Sequence, residues 1–267
     1  MIAPHARSFA ALCYHDVQPE MPRGGGGPDH FTVPVASFER MLDTIAAHGY
    51  TGCSLQNALA TPGRPRIAIT FDDGTAGQFD HAFPALVARG MTATFYVTTN
   101  WVGQAGYVTW AQLREMVASG MSVQSHTRTH PFLSELGPEA LRNELIEAKR
   151  ELDAELRQNT TEIAFPGGDA PRARYRYLLE EAGYRISVGT RWGLNSDAQV
   201  WSPAGSFVRR CTVRGVLTPE LAEQLVRGDR WLAFRWTAKE ATLRRMRSTL
   251  GASRYARWRR LVLDVLN

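Results

Sequence analysis

Adjacent carboxylates, Asp72 and Asp73, directly follow the apolar segment RIAITF, which is typical of a buried strand. Side chains alternate between the two faces of a strand, so neighbouring acids at its end can differ in orientation and in role. A pair of imidazoles, His126 and His130, follows the β-rich segment MSVQS. Residues four apart lie one helical turn from each other, so both imidazoles can reach a single cation.

These residue types together indicate a catalytic metal site. One carboxylate and two imidazoles leave open positions on a divalent cation, which is typical of hydrolytic or oxygen-using sites and not of closed structural sites. A cation bound in this way lowers the pKa of its water to about 7 and polarises a carbonyl oxygen. The acid that does not bind the cation can take a proton from that water as general base. From the residues alone, Asp72 and Asp73 could divide these two roles in either order.

Each motif also has an ordinary interpretation. An acid pair before Gly74 is common in turns and helix caps, and two histidines four apart are common on surfaces. Their occurrence together, each at the end of a predicted strand, favours a functional site.

The segments that must position these residues alternate between strand and helix patterns. The strand-like segments are SFAALCY, RIAITF, TATFYVT, MSVQS, TEIAFP, RISVGT and FVRRCTV, and amphipathic helical segments lie between them. This alternation predicts an α/β fold with a parallel sheet covered by helices, either doubly wound or barrel-like. In both architectures ligands bind at the carboxyl ends of the strands, where the acid and histidine pairs fall.

Composition limits the compartment and the partners. The chain has 267 residues, 44% of them hydrophobic, and three cysteines with no close pair. This composition supports a substantial core without a disulfide framework or a cysteine zinc site, and it fits a reducing compartment. The N-terminal segment matches a secretory leader poorly, and no run reaches the roughly 18 apolar residues of a membrane span. We therefore expect a cytoplasmic protein.

The positive charge is concentrated near the C-terminus. Residues 235–267 contain nine Lys or Arg and two acids, although the whole chain has a net charge of only +5. We expect a barrel domain over 1–234 and a basic helical extension over 235–267. The extension could contact an anionic membrane surface or an acidic partner, or it could be a solvated terminal helix. Nucleic-acid binding is not expected, because no binding motif accompanies the charge.

The order of three motifs, TFDDG, SHTRTH and FPGG, resembles the polysaccharide deacetylases with a NodB homology domain, carbohydrate esterase family 4. The resemblance implies a distorted (β/α)7 barrel of the NodB type. It also implies a division of roles, with Asp72 as the base and three metal ligands, Asp73, His126 and His130. The cofactor would be a divalent metal, most often Zn, although this ligand set also suits Co, Ni or Fe.

Two departures from the family pattern affect the expected mechanism. Ala164 replaces the arginine of the family's Arg-x-Pro motif, so we expect the positioning contact of that arginine to be missing. Pro166 and the amide of Gly167 are retained, and this amide is expected to stabilise the oxyanion.

No histidine follows His130, but the N-terminal Tyr-His pattern resembles the exopolysaccharide and poly-N-acetylglucosamine deacetylase branch. In that branch the N-terminal histidine is the general acid, which implies this role for His15.

Aromatic side chains after the strands suggest a sugar ligand, because sugars are usually bound by aromatic faces and hydrogen bonds. Trp101 and Trp192 are the candidates, with Pro166 beside them. The expected reaction is metal-dependent hydrolysis of the acetamido group of an N-acetylated sugar in a glycan or glycan precursor. The alternatives are an O-acetyl esterase or a small-molecule amide deacylase at the same site, or a non-catalytic carbohydrate-binding barrel.

Overall fold

The computed structural model describes residues 8–21, 31–196, 206–216 and 218–227. The described strands are, in chain order, β1 Ser8–Tyr14, β2 Asp16–Gln18, β3 Thr32–Pro34, β4 Thr51–Cys53, β5 Arg66–Phe71, β6 Thr94–Val97, β7 Ser122–Ser125, β8 Glu162–Ala164, β9 Ile186–Val188, β10 Asn195–Ser196, β11 Ser206–Val208 and β12 Cys211–Thr212. Most of the segments predicted as strands therefore form one strand each.

A nearly closed parallel barrel forms the centre of the fold. Its neighbouring strands follow the order β1, β5, β6, β7, β8, β9, β11, and every pair in this series is parallel. The short strand β4 adds to the beginning of β5, β10 pairs antiparallel with the beginning of β1, and β2 and β3 form a separate pair. Because the barrel strands are parallel, all their carboxyl ends lie at one edge.

The last strand of the barrel differs from the prediction of one continuous strand over FVRRCTV. The chain breaks at Arg209 and Arg210 into β11, which pairs with β9, and β12, which pairs with β1. This change of neighbour closes the ring, so the barrel has the seven strand positions that were predicted, the last one shared by β11 and β12. The Arg210 side chain is completely buried at the break.

Helices cover the outside of the barrel and connect its strands. They are α1 Val35–Ala47, α2 Leu55–Ala60, α3 Phe83–Val87, α4 Trp110–Ala118, α5 Pro138–Leu156, α6 Tyr177–Glu181 and α7 Pro219–Arg227. Helix α4 begins with a capping box: the Thr109 hydroxyl accepts a hydrogen bond from the Gln112 amide, and the Gln112 side chain accepts one from the Thr109 amide.

Small and polar residues meet inside the barrel. Ala11, Ala68 and Ala164 come from three different strands and belong to one buried cluster with Tyr96. The Arg210 guanidinium is completely buried and lies over the Tyr96 ring, with its central carbon 5.3 Å from the ring centre. The interior below the site is therefore partly polar.

Across the residues that the structure describes, no helix has the length and apolar character needed to cross a lipid bilayer. Residues 235–267 lie outside the described part of the chain. The division into a barrel over 1–234 and a basic extension therefore stays a prediction.

Candidate metal centre and active site

Asp73, His126 and His130 come together at the carboxyl edge of the barrel, as predicted. Their nearest ligand atoms all lie within 4.8 Å of one another. One carboxylate oxygen of Asp73, Oδ1, is 3.3 Å from Nε2 of His126 and 3.4 Å from Nε2 of His130. The parallel pairing of β5, β6 and β7 explains this convergence, because Asp73 follows β5 and both histidines follow β7.

The donor atoms of this cluster fit a divalent cation. Nδ1 of His126 donates to the Ala164 carbonyl at 2.9 Å, which leaves Nε2 with a lone pair directed at Asp73. Within the described residues, Oδ1 of Asp73 is buried and accepts no hydrogen bond. Three electron-rich atoms that converge in this way repel one another unless a positive charge lies between them. Two nitrogens and one carboxylate oxygen suit Zn, Co, Ni or Fe and do not select among them.

Left-handed backbone conformations shape the ligand loops. Asp73 has a φ of 78°, Thr127 of 68° and His130 of 62°. Non-glycine residues in this region cost about 1–3 kcal/mol each, and they persist only where the surrounding structure imposes them. Three of the four such residues in the described chain lie at this site. Gly74 follows at φ 81°, and a side chain there would lie 3.1 Å from Val97 Cγ1, which accounts for the glycine after the acid pair.

Asp72 lies beside the metal ligands but does not join them. The carboxylate is 2% exposed, and Arg210 donates to both oxygens, at 2.6 Å to Oδ1 and 2.7 Å to Oδ2. The Cys13 thiol donates to Oδ2 at 3.4 Å. Burial alone would raise the pKa of Asp72, but the Arg210 guanidinium and the imidazoles of His126 and His15 together outweigh burial and hold this pKa below its ordinary value. Asp72 is therefore ionised and able to accept a proton.

The expectation that the site lacks an arginine contact is wrong. Position 164 carries alanine, but Arg210 reaches the site from the break between β11 and β12, 138 positions after Asp72. Arg210 is completely buried there and also donates to the Thr70 hydroxyl and the Gly189 carbonyl. Two arginines in the strand-like segment FVRRCTV were the available signal, since one of two neighbours on a strand must face the interior.

His15 follows β1 and lies on the same edge. Its ring nitrogen, the Cys13 sulfur and an Asp72 oxygen are within 4.8 Å of one another. Nδ1 of His15 is buried and has no hydrogen-bond partner within the described part of the chain. The Phe31 ring packs against the imidazole, with ring centres 4.4 Å apart. Burial lowers the pKa of His15, although the charges of Asp73 and Asp72 oppose this shift. A neutral imidazole beside the base can receive a proton and pass it on.

The Cys13, His15 and Asp72 group is a poor second metal site. Arg210 already donates to both oxygens of Asp72, so a cation at this group would lie against a buried guanidinium. Burial also raises the pKa of the Cys13 thiol well above its ordinary value, which disfavours the thiolate that binds metals.

Trp101 and Trp192, the two tryptophans predicted to contact a sugar, differ in their exposure. Trp101 is partly exposed and stacks on the metal-ligand candidate His130 with ring centres 5.0 Å apart, and Tyr107 lies equally close on Trp101. Trp192 differs from the prediction: it is 9% exposed and packs in the main hydrophobic core, so little of its ring is available to a ligand.

The predicted oxyanion turn follows β8. Pro166 is buried, so its ring offers little surface to a substrate, contrary to its predicted contact. Gly167 is exposed at φ 57°, and a side chain there would lie 3.0 Å from Phe132 Cε1. The turn begins two residues after Ala164, whose carbonyl fixes the His126 ring.

The fold and the site define a class of protein: a (β/α) barrel with an open Asp-His-His ligand set beside a separate buried carboxylate. Residues 60–187 match the family model for polysaccharide deacetylase. This match confirms the resemblance to the polysaccharide deacetylases, and the predicted barrel of the NodB type is confirmed.

Individual relatives agree with this assignment. A Bacillus subtilis protein, YxkH, named as a polysaccharide deacetylase, is 30% identical over 173 residues, which is 62% of this chain and 62% of the relative. A chitooligosaccharide deacetylase of Rhizobium leguminosarum bv. phaseoli is 29% identical over 157 residues, or 54% of this chain and 60% of the relative. The chain thus matches about three fifths of the length of these two proteins.

A solved structure extends the likeness over most of the barrel. The Streptococcus pyogenes deacetylase PplD, in complex with acetate, superposes with a TM-score of 0.73 at 26% identity. The superposition covers 82% of this chain and 98% of that one.

Proposed function

We propose that this chain is a metal-dependent N-deacetylase that releases acetate from an N-acetylated sugar in a glycan or glycan precursor. The observation that carries the proposal is the pairing of an open cation ligand set with an ionised, unligated carboxylate at one edge of the barrel. The family and the names of the relatives support removal of acetyl groups from N-acetylated carbohydrates.

Asp73, His126 and His130 would bind the metal. When bound, the metal supplies a Lewis acid for the acetyl carbonyl oxygen and lowers the pKa of a water beside it. The open side of the ligand set leaves room for both water and substrate.

The remaining steps belong to the chain's own side chains. Asp72 takes a proton from the attacking water as the new C–O bond forms, and Arg210 keeps its carboxylate oriented and ionised. His15 receives this proton from Asp72 and delivers it to the sugar nitrogen as the C–N bond breaks, which returns Asp72 to its ionised form. The Gly167 amide donates to the oxygen on which negative charge develops, a contact worth about 3–4 kcal/mol of barrier in other enzymes. Acetate and a free amino sugar result.

Acetate release from three substrate types tests the proposal: chitin oligomers, acetylated xylan and simple N-acetyl sugars. We expect turnover of the N-acetylated oligomers, loss of turnover after chelation, and recovery when Zn or Co is restored. Turnover of xylan alone would indicate an O-acetyl esterase, and turnover of the simple amides alone a small-molecule deacylase. Glycan binding without any turnover would indicate a carbohydrate-binding barrel. Each of these three outcomes contradicts the proposal.

We also propose that the enzyme meets its substrate inside the cell and that residues 235–267 contact an anionic membrane surface. Their nine basic residues support the membrane contact. Deletion of 235–267 should reduce binding to vesicles that contain anionic lipid, and unchanged binding would contradict the contact.

A further inference from the structure

A glutamate on helix α5 binds the loop between the two histidine ligands. One oxygen of Glu144, Oε2, accepts hydrogen bonds from the backbone amides of Arg128 at 3.0 Å and Thr129 at 2.9 Å. The other oxygen, Oε1, accepts from the Thr129 hydroxyl at 2.7 Å. Both carboxylate oxygens of a single side chain are therefore committed to the two residues midway between His126 and His130.

The loop needs an external partner because its backbone is strained. Thr127 and His130, on either side of the pair that Glu144 binds, both have left-handed backbones. Such conformations cost about 1–3 kcal/mol each for residues other than glycine. Within the loop, the Thr127 hydroxyl accepts a hydrogen bond from the His130 amide at 3.1 Å. Arg128 is also held by a hydrogen bond from the Asn100 amide to its carbonyl at 3.0 Å and by an ion pair with Glu151. Glu144 binds both residues 128 and 129, and its charge-assisted hydrogen bonds are stronger than the neutral ones.

The two histidines depend on Glu144 to different degrees. His126 directly follows β7, and its ring is fixed by the Ala164 carbonyl. His130 lies beyond the strained loop, and its ring is supported by stacking on Trp101. Loss of Glu144 would therefore displace His130 and leave Asp73 and His126 in place.

We infer that Glu144 is a positioning residue for the metal centre, which acts by holding the loop that presents His130. It touches neither the ligand atoms nor the substrate, so its effect should be on metal affinity. The inference uses the ligand set of the proposed function but not the reaction, because a metal-binding barrel without activity would need the same restraint. Residues that orient metal ligands typically change metal affinity by about 10- to 100-fold when they are replaced.

The test is Zn titration of metal-free protein against a chelating dye, with Co titration and its absorption spectrum as a second readout of the ligand set. We expect Glu144→Ala to weaken Zn binding by about 10- to 100-fold and to alter the Co spectrum. Glu144→Gln keeps an acceptor for the two amides, so its Zn affinity should lie between that of Glu144→Ala and that of the wild type. Glu147→Ala is the matched control, because Glu147 lies on the same helix and pairs with Arg150 one turn away. Its Zn affinity should be unchanged.

Unchanged Zn affinity in Glu144→Ala, with or without a lower melting temperature, would overturn the inference. If that variant does not fold, Thr129→Val decides the matter, because it removes only the hydroxyl donor on an exposed residue. Weaker Zn binding in Thr129→Val supports the inference, and unchanged binding overturns it. A wild-type protein that binds Zn but releases no acetate contradicts the proposed function and leaves this test valid. A wild-type protein that binds no Zn overturns the inference as well.

Discussion

Asp72 and Asp73 are neighbours in sequence, but the structure supports them in opposite ways. The metal-ligand half of the site lies on short loops with strained backbones, and the side chains of Asp73 and His130 are 23% and 30% exposed. The proton-transfer half lies in the barrel interior, where Asp72 is enclosed by Arg210 and Cys13. The ligands are held by backbone conformations that the surrounding structure imposes, whereas the base is held by side-chain contacts inside the barrel.

The buried half continues below Asp72 as a chain of polar contacts. The Arg210 guanidinium lies over the Tyr96 ring, and the Tyr96 hydroxyl donates to Glu162 at 2.7 Å. Burial raises the pKa of Glu162 to about 7, although the hydrogen bond from Tyr96 opposes this shift. Removing one member of a buried charged network leaves its partner without compensation, so this half should tolerate substitution less well than the loops.

Replacing Asp72 and Asp73 one at a time should have the largest effects on activity and on Zn binding. The two substitutions test whether the two halves of the site are distinct. Asp72→Asn should lower kcat by about 100- to 10,000-fold, because the general base is lost, while Zn affinity is retained. Asp73→Ala should instead abolish tight Zn binding. Acetate release and Zn titration on both variants measure the difference, with the exposed Asp80→Asn as control. Equal loss of Zn affinity in the two variants would show that the halves are not distinct.

Replacement of Arg210 tests whether the base depends on the barrel interior. Arg210→Met leaves Asp72 as an uncompensated buried charge, which should cost about 3–5 kcal/mol of unfolding free energy and most of the activity. The neighbouring Arg209 is exposed, so Arg209→Met should change stability by less than about 0.5 kcal/mol. Urea denaturation of both variants gives the comparison. Similar losses in the two would mean that the pairing with Asp72 is unimportant.

The pH dependence of stability tests whether Glu162 in the buried half has a raised pKa. The pKa of Glu162 is raised from 4.5 to about 7 in the folded chain, so between these values the folded state keeps a proton that the unfolded state has released. The contribution of Glu162 to the free energy of unfolding should therefore fall as pH rises through this range, by about 3 kcal/mol in total, and then level off.

Glu162→Gln removes this titration and should be increasingly stabilised relative to the wild type between about pH 4.5 and about pH 7. Denaturation curves of both proteins across this range are the measurement. All other titrating groups are shared, so their contributions cancel in the difference. A constant difference at every pH would contradict the raised pKa.

Local patterns predicted much of the fold and the metal half of the site. Short β-rich apolar runs located most of the barrel strands, and the acid and histidine pairs at strand ends located the cluster of Asp73, His126 and His130. These features depend on neighbours in sequence and on the shared edge of parallel strands. The assignment of Asp72 as base came from the family resemblance and is supported by its place outside the ligand cluster.

Other features could not be predicted because they depend on distant contacts. A tryptophan after a strand can face a ligand or the core, and Trp192 lies in the core. FVRRCTV reads as one strand, but its two halves pair with different neighbours. No local signal at Glu144 indicates that its carboxylate would bind a loop some fifteen positions earlier.

The sequence by itself determined the strands, the edge at which the polar pairs meet and the residues that can bind a cation, because periodicity and spacing are properties of a short stretch of chain. Only the closed barrel decided how the base is held. Arg210 meets Asp72 across 138 positions because the final strand changes neighbours at Arg209 and Arg210. Such a contact depends on the volume and direction of side chains from several strands at once, which no single segment specifies.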